Sequence, residues 1–347
     1  MRALALTRLG GPEHLAAIDL PPPPPPQGDE VRVEIRCAAI NHLDLFLTEG
    51  VKGITLAFPH VVGTDGAGVV ESVGPAARSV RAGDRVALNP GISCGTCPAC
   101  GAGQEPYCRR FKILGEHLPG TCTELVVVPE RNVEVIPEEM PWQQAAGFPL
   151  STLTAWRMLT TRAKVQPGEV VLIWGAGGGI AMAALRIAKE LGARVIATGS
   201  ASRKLEAARG LGAEMVFNHA EQSPEAIAKE VRSRLGGGVD VVVDSVGGVT
   251  WEASLRALAS GGRLVSCGAT TGPEVALDIR RLFWFQWSLL GSTMGSRREF
   301  TEVMERIRAG KLWPVIDSVV PLEQGRLAYE KMARGEQLGK LVIEVSQ

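Results

Sequence analysis

The most constraining feature of the sequence is an alternation of strand-like and helix-like segments that begins near Pro167. Short, continuous apolar runs such as VVLIW (170–174) and RVIAT (194–198) alternate with segments of helical periodicity such as MAALRIAKELGA (182–193). Continuous apolar runs are typical of strands covered on both faces, and this alternation is typical of a parallel sheet. The sequence therefore predicts a doubly wound domain, whose last strand lies near residues 289–292.

The rest of the chain has β character. VRVEIRCAAI (31–40) alternates apolar and polar residues as a half-buried strand does. Further β-type runs lie at 61–73, 84–90 and 124–130. The C-terminal tail ends in the strand-like GKLVIEV and is predicted to rejoin this half. We therefore predict an α/β fold with a β-rich domain of residues 1–135 and 297–347 and a doubly wound dinucleotide-binding domain of residues 136–296.

Charge and hydropathy exclude several classes of partner. The 347 residues contain 37 Lys plus Arg and 37 Asp plus Glu, so no net field attracts nucleic acid or anionic lipid. No apolar run approaches the ~20 residues that span a bilayer, and the N-terminus lacks a secretory apolar region. We expect a cytoplasmic protein with a small-molecule partner and without nucleic-acid or membrane partners.

A glycine-rich turn follows the strand VVLIW and opens a long amphipathic helix. Its candidate cofactor-binding residues are Gly175, Ala176, Gly177, Gly178, Gly179 and Ile180. Glycines let a backbone approach a pyrophosphate, which then contacts the free amides at the start of the helix. Glycines also mark ordinary turns, so the position between a buried strand and a helix is what favours dinucleotide binding.

The end of the second strand discriminates between the two nicotinamide cofactors. An acidic residue there would bind the 2′-hydroxyl of NAD(H). The segment instead contains Ser200, Arg203 and Lys204, which suit a 2′-phosphate. NADP(H) is favoured over NAD(H); the alternative is that the two cations only form the solvated first turn of the next helix.

Four cysteines are spaced C-x2-C-x2-C-x7-C within a predicted metal-binding lobe of residues 91–110. They are Cys94, Cys97, Cys100 and Cys108. Four thiolates complete a tetrahedral shell and leave no open position for water or substrate. The alternative, four neighbouring thiols without a cation, would leave them poorly solvated and easily oxidised.

The order of these parts resembles the medium-chain dehydrogenase/reductase superfamily. The resemblance rests on GTDGAGVVESVG (63–74), AGDRV (82–86), the four-cysteine lobe and GKLVI near the C-terminus. Within that superfamily the chain is most similar to zinc-type alcohol dehydrogenase-like members that share features with quinone reductases. The resemblance implies a GroES-like catalytic domain, a Rossmann domain, one structural zinc per chain and NAD(P)H-dependent hydride transfer.

The same resemblance implies that the catalytic zinc ligands are missing. The three ligand positions of the zinc alcohol dehydrogenases fall on Asn41, on Thr64 and near Phe148, and the hydroxyl that relays the alcohol proton falls on Leu43. None of these side chains is the ligand or relay group of that family. A rebuilt zinc site remains an alternative, with ligands drawn from His42, Asp44, His60, Asp65 and His117.

Asn41, Asp44 and Thr64 instead agree with the quinone reductase pattern, although that pattern has a Tyr where this chain has Phe46. We predict that Asn41 donates to a developing oxyanion, that Thr64 is a weaker donor, and that Asp44 orients the loop. His42 is either a contact of the cofactor pyrophosphate or a surface histidine.

The remaining cofactor contacts follow from strand ends and from the resemblance. The predicted contacts at the nicotinamide end are Ser151, Thr152, Ser245, Cys267, Gly268 and Ala269. Lys340 is a candidate for the adenine-side phosphate by resemblance alone.

Three functions are compatible with these features: an NAD(P)H-dependent reductase of carbonyls, enones or quinones, an alcohol dehydrogenase with a rebuilt zinc site, and a non-catalytic NADPH-binding protein. The aromatic run 282–287 shows a strand-like alternation before the last strand. It predicts a homodimer, or a tetramer built from it, unless the aromatics pack inward.

Overall fold

The computed structural model describes residues 1–346, which form two compact units. The first comprises Met1–Leu153 and the chain from Met294 onward, and the second comprises Thr154–Thr293. Within the described residues, no helix combines the length and the apolar character needed to cross a membrane.

The secondary structure contains strands and helices throughout residues 1–346. The strands are β1 Arg2–Leu6, β2 Leu15–Asp19, β3 Glu30–Ile40, β4 His60–Val61, β5 Asp65–Val73, β6 Arg85–Leu88, β7 Gly91–Ile92, β8 Lys112–Ile113, β9 Leu125–Pro129, β10 Val133–Val135, β11 Val170–Ile173, β12 Arg194–Gly199, β13 Met215–Asn218, β14 Val239–Asp244, β15 Leu258–Ser266, β16 Ser288–Gly291, β17 Ile316–Pro321 and β18 Lys340–Glu344. The helices are α1 His42–Glu49, α2 Pro98–Gly101, α3 Trp142–Gly147, α4 Pro149–Trp156, α5 Gly179–Glu190, α6 Ser202–Gly210, α7 Pro224–Leu235, α8 Gly248–Ala257, α9 Ile279–Trp284, α10 Arg297–Arg308 and α11 Gly325–Ala333.

The main sheet of the first unit has the order β10-β6-β5-β3-β18-β17, with β9 also paired to β3. The alternation predicted for β3 is confirmed, because Val31, Val33 and Ile35 are fully buried while the residues between them are partly exposed. Strand β18 pairs antiparallel with β3. The C-terminal tail therefore belongs to the first unit, as the sequence predicted.

The second unit is a parallel sheet of six strands in the order β13-β12-β11-β14-β15-β16. Numbered within the unit this order is 3-2-1-4-5-6, the doubly wound arrangement that binds dinucleotides. Its central strands are buried on both faces, and Leu172, Ile196 and Val242 lie in one apolar core. The predicted α/β fold is confirmed.

The division between the units differs from the predicted boundary after residue 135. Residues 136–153 belong to the first unit because α3 packs against β3 and β5. The predicted boundary followed strand character alone, and apolar helices that cover the first sheet were assigned to the second domain.

The aromatic run 282–287 is not strand-like, which corrects the sequence prediction. Phe283 and Trp284 lie in α9 and are 64% and 76% exposed, whereas Trp287 is 8% exposed and stacks on Phe285 at 5.1 Å. The indole of Trp287 also donates to the carbonyl of Ala259. The two tryptophans therefore have different roles, one on the surface and one in the core.

We expect a homodimer that covers Phe283 and Trp284 beside β16, the last strand of the sheet. Trp284→Glu should convert the dimer to a monomer in light scattering without lowering the thermal midpoint of the second unit. Trp287→Glu should instead lower that midpoint, because it places a charge in the core. A dimer that survives Trp284→Glu would place the interface elsewhere.

Candidate functional site

Three adjacent strands of the first unit bring a group of polar residues to one end of the sheet. Asp65 is the first residue of β5, Asn41 directly follows β3, and Lys340 is the first residue of β18. The register aligns these ends, because Ala39 pairs with Asp65 and Ile40 pairs with Leu341. We call Asn41, Asp65 and Lys340 the polar triad.

The members of the polar triad bind one another directly. Lys340 Nζ lies 2.5 Å from Asn41 Oδ1 and 2.9 Å from Asp65 Oδ2, and Asn41 Nδ2 donates to Asp65 Oδ2 at 3.0 Å. The other carboxylate oxygen of Asp65 accepts from the backbone N–H of Leu150 at 2.7 Å. Asn41 is 9% exposed, against 3% for Lys340 and 0% for Asp65. Asn41 is therefore the most accessible residue of the triad.

The charges around Asn41 fix the orientation of its amide. An ammonium only donates and a carboxylate only accepts, so the amide oxygen faces Lys340 and the amide nitrogen faces Asp65. One of the two N–H donors of Asn41 is used by Asp65. The second remains for another acceptor.

Asp44 lies next to the triad and joins two loops. Its Oδ2 accepts from the backbone N–H of Asn41 and its Oδ1 accepts from the hydroxyl of Thr64, both at 2.7 Å. These bonds start α1 and hold it to the loop before β5, which agrees with an orienting role. Burial raises the pKa of Asp44 to about 7, although the bonds from Thr64 and Asn41 oppose this effect.

This arrangement bears on two predicted roles. The hydroxyl of Thr64 donates to Asp44 and is fully buried, and its role as a weaker donor toward a substrate stays a prediction. Lys340 was assigned to the adenine-side phosphate, but its ammonium is buried and bound within the triad of the first unit.

His42 lies at the start of α1 and is partly buried, so it is not a plain surface histidine. Burial lowers the pKa of His42, and the nearby charge of Lys340 lowers it further. Its predicted contact with a pyrophosphate stays a prediction.

The residues at the catalytic-metal positions do not fit a zinc ion. Asn41 and Thr64 offer neutral oxygens that already bind Lys340 and Asp44, respectively. Phe148 is fully buried and stacks on Phe300 at 6.0 Å.

The proposed substitute ligands do not converge either. His60 Nε2 lies 2.8 Å from the carbonyl of Gly115, and His117 Nδ1 accepts from the backbone N–H of Ile113. Among residues 1–346, the cysteines of the lobe form the one group of at least three His, Cys, Asp or Glu side chains arranged for a metal.

The four-cysteine lobe fits a tetrahedral zinc. Its ligand atoms, the Sγ atoms of Cys94, Cys97, Cys100 and Cys108, all lie within 4.8 Å of one another. The Sγ–Sγ distances are 3.8 Å for Cys94–Cys100 and 3.5 Å for Cys97–Cys100. A tetrahedron with Zn–S bonds of ~2.3 Å has edges of ~3.8 Å. Hydrogen bonding from the backbone of Thr96 lowers the pKa of Cys94 to about 5, whereas burial and hydrogen bonds with the neighbouring thiols raise the pKa of Cys97 to about 11.

The glycine-rich turn of the second unit has the geometry of a phosphate site. Gly175 has φ +75°, which favours glycine, and its N–H donates to the hydroxyl of Thr198 in β12. Helix α5 begins at Gly179 without a side-chain cap, so the first amides of the helix point out of its N-terminus. The predicted residues 175–180 are thus brought together as a loop and helix start that suit a pyrophosphate.

A lysine in the first turn of α6 lies beside this glycine turn. Lys204 is 8% exposed, and its Nζ donates to the hydroxyl of Ser200 at 3.2 Å. A Cβ added to Gly177 would lie 2.6 Å from the Lys204 side chain, so the glycine makes room for the lysine. Arg203 is exposed. The alternative of two solvated cations is therefore wrong for Lys204, which packs on the phosphate turn.

The predicted contacts at the ends of β14 and β15 also lie together. The carbonyl oxygen of Ser245 lies 3.0 Å from where a Cβ of Gly268 would be, and Cys267 and Ala269 flank that glycine. Burial raises the pKa of Cys267 to about 12, so this thiol stays protonated at neutral pH. Ser151 and Thr152, by contrast, are buried in α4 within the first unit.

Sequence reasoning missed two features of these sites. Asp65 was considered only as a substitute metal ligand, although a charge at the start of a buried strand requires an opposite partner. Lys340, which starts the buried strand β18, is the residue of opposite charge that could have identified this ion pair from the sequence. The hydrogen bond between His219 Nδ1 and the Thr198 hydroxyl, at 3.1 Å, had no signal in the sequence.

Comparisons with known proteins agree with this architecture. The alcohol dehydrogenase GroES-like domain family matches residues 27–138, and the zinc-binding dehydrogenase family matches residues 179–309. An NAD-dependent alcohol dehydrogenase of Sulfolobus acidocaldarius is 31% identical over 100% of both chains. A human quinone oxidoreductase is 28% identical over 99% of this chain and 97% of its own. A crystal structure of an NAD-dependent alcohol dehydrogenase is 43% identical, with a TM-score of 0.95 over 100% of both chains.

The pKa of Asp44 predicts a pH-dependent contribution to stability. Because the folded pKa of about 7 lies above the ordinary value of 3.8, protonation of Asp44 favours the folded state. That stability is fully present below pH ~4 and is lost as the pH rises through about 7. In urea unfolding between pH 5 and 8, unmodified protein should lose stability relative to Asp44→Asn. A difference that stays constant with pH would contradict this assignment.

Proposed function

Because the chain belongs to the zinc-binding dehydrogenases with a GroES-like domain and is an NAD(P)H-dependent oxidoreductase, we propose that it transfers hydride between the nicotinamide and a small carbonyl, enone or quinone. We propose further that its zinc is structural. The observation that carries the proposal is the bond between Lys340 Nζ and Asn41 Oδ1. It makes the residue at the first catalytic-metal position an oriented amide.

When bound, NAD(P)H would supply the hydride in the reducing direction: the cofactor would be oxidised, and the electrophilic carbon of the substrate would be reduced by two electrons. The negative charge then develops on the carbonyl or quinone oxygen, which takes a proton from water. The second N–H of Asn41 is proposed to bind that oxygen. Donors fixed before the reaction stabilise such a charge without reorganising, and the removal of one such donor costs ~10² to 10³ in kcat.

The other residues have supporting roles in this proposal. The cysteines Cys94, Cys97, Cys100 and Cys108 would hold zinc as a closed shell that stabilises residues 91–110. The turn 175–180 would bind the pyrophosphate, and Ser245, Cys267, Gly268 and Ala269 would line the site at the nicotinamide end. Lys204 and Arg203 would contact the 2′-phosphate of NADP(H).

Alcohol dehydrogenase activity is the second candidate, because relatives over the full chain have that name. Such an activity would use NAD(P)⁺ as the hydride acceptor. It would also need a base that takes the proton of the alcohol. Asp44, whose pKa is raised to about 7 by burial, is a buried carboxylate near the triad that suits such a base. The third reading, a non-catalytic protein, is wrong because the chain is an oxidoreductase.

Metal content and turnover test the proposed function together. We expect one zinc per chain, and we expect NADPH-dependent reduction of 2-cyclohexen-1-one or 9,10-phenanthrenequinone to persist in folded protein after chelation. Cys97→Ser should lose the zinc and lower the urea midpoint, while Cys37→Ser, outside the lobe, should keep the zinc. Loss of turnover on chelation, in protein that remains folded and binds NADPH, would show that the metal takes part in the chemistry.

The cofactor preference is tested at Lys204. Although two of the three proteins compared above are named NAD-dependent, the end of β12 here is followed by Ser200 and a packed lysine in place of an acid. We expect NADPH to bind more tightly than NADH by calorimetry, and Lys204→Met to weaken NADPH alone by ~1.5 to 3 kcal/mol. Arg203→Ala should have a smaller effect, and Lys189→Met, at the other end of α5, should have none. Equal affinities in the unmodified protein would refute the preference.

A further inference from the structure

The polar triad contains two buried charges, Lys340 and Asp65. Their mutual attraction does not explain why the amide of Asn41 binds both of them. Lys340 and Asp65 already form an ion pair at 2.9 Å. Asn41 nevertheless lies across the pair and binds both charges, with its oxygen on the ammonium and its nitrogen on the carboxylate. Of the three residues, Asn41 retains the most exposure.

We propose that Lys340 is a positioning residue that orients Asn41 and strengthens its second N–H as a donor to the substrate oxygen. This inference rests on the proposed function of Asn41. The ammonium holds the amide oxygen, and the carboxylate holds one amide hydrogen, so the direction of the remaining N–H is set by the other two members of the triad. With a neutral side chain at 340, only the bond to Asp65 would hold the amide against rotation about its last torsion.

Polarisation acts in the same direction as orientation. A positive charge on the amide oxygen draws electrons from the nitrogen, and hydrogen bonds in such chains strengthen one another where the surroundings exclude water. The triad is nearly excluded from water. Lys340 thus affects the charged transition state more than the neutral bound substrate, which predicts an effect on kcat rather than on KM.

Backbone hydrogen bonds hold both charged partners of Asn41 in place. Lys340 begins β18, and its own N–H donates to the carbonyl of Val315. The carboxylate of Asp65 is fixed from its other side by the N–H of Leu150. Both charged partners of Asn41 are therefore anchored independently of the amide.

A double-mutant cycle tests the inference with NADPH and 2-cyclohexen-1-one. Asn41→Ala should lower kcat by ~10² to 10³. Lys340→Met should lower kcat at least tenfold with KM changed less than threefold, and in the Asn41→Ala background it should change kcat less than twofold. Lys331→Met is the matched control, because Lys331 pairs with Asp317 elsewhere in the same unit, and it should leave kcat unchanged.

Lys340→Met leaves a buried carboxylate without its cation and therefore destabilises the first unit; the variant is used only where circular dichroism shows that it is folded. Otherwise the variant Lys340→Met with Asp65→Asn takes its place, because it removes both charges. Equal losses of kcat in the two Asn41 backgrounds, or an unchanged kcat in Lys340→Met, would overturn the inference. If the unmodified protein reduces neither the enone nor 9,10-phenanthrenequinone, the proposed function itself fails, which is a different result.

Discussion

The ion pair between Lys340 and Asp65 is almost fully enclosed in the first unit and constrains the strands that supply it. Moving both charges out of water costs several kcal/mol for each ion, and their attraction offsets that cost only when further hydrogen bonds complete the geometry. Those bonds come from Asn41 and from the backbone of Leu150. The ends of β5, β3 and β18 and the start of α4 must therefore meet at one point, which fixes the register of three strands and brings the C-terminal strand into the unit.

The first unit contains a second group of polar side chains that needs a positive charge, the four cysteines. In the lobe of residues 91–110, four sulfur atoms within 4.8 Å of one another would repel as thiolates and require a divalent cation. In the triad, one carboxylate and one amide oxygen require only a single positive charge, which Lys340 supplies within the chain. One site is therefore built to hold a metal, and the other has its cation attached to the backbone.

Much of the fold was predictable from sequence, because its signals are periodic and local. Alternation in β3 and the continuous runs of β11 and β12 each report burial directly. Which aromatics of the run 282–287 are buried was not predictable, since Trp284 and Trp287 have the same chemistry and differ only in which neighbours surround them.

The candidate site was likewise predictable only in part. Spacing identified the cysteines and the glycine turn, but Lys340 lies about 300 residues from Asn41 and its partner is decided by strand pairing.

The proposed cofactor preference likewise depends on local contacts, which membership of the family does not predict. In the proposed function, the glycine turn and the free amides of α5 would bind the pyrophosphate, which NAD and NADP share. We propose that the two cofactors are distinguished by the short segment after β12, where Lys204 packs against Gly177 and binds Ser200. A TM-score of 0.95 to an NAD-dependent enzyme therefore establishes the scaffold but does not transfer its cofactor preference, because three or four side chains at one strand end are enough to reverse it. The discriminating contacts are local, and they vary without any change in the sheet that presents them.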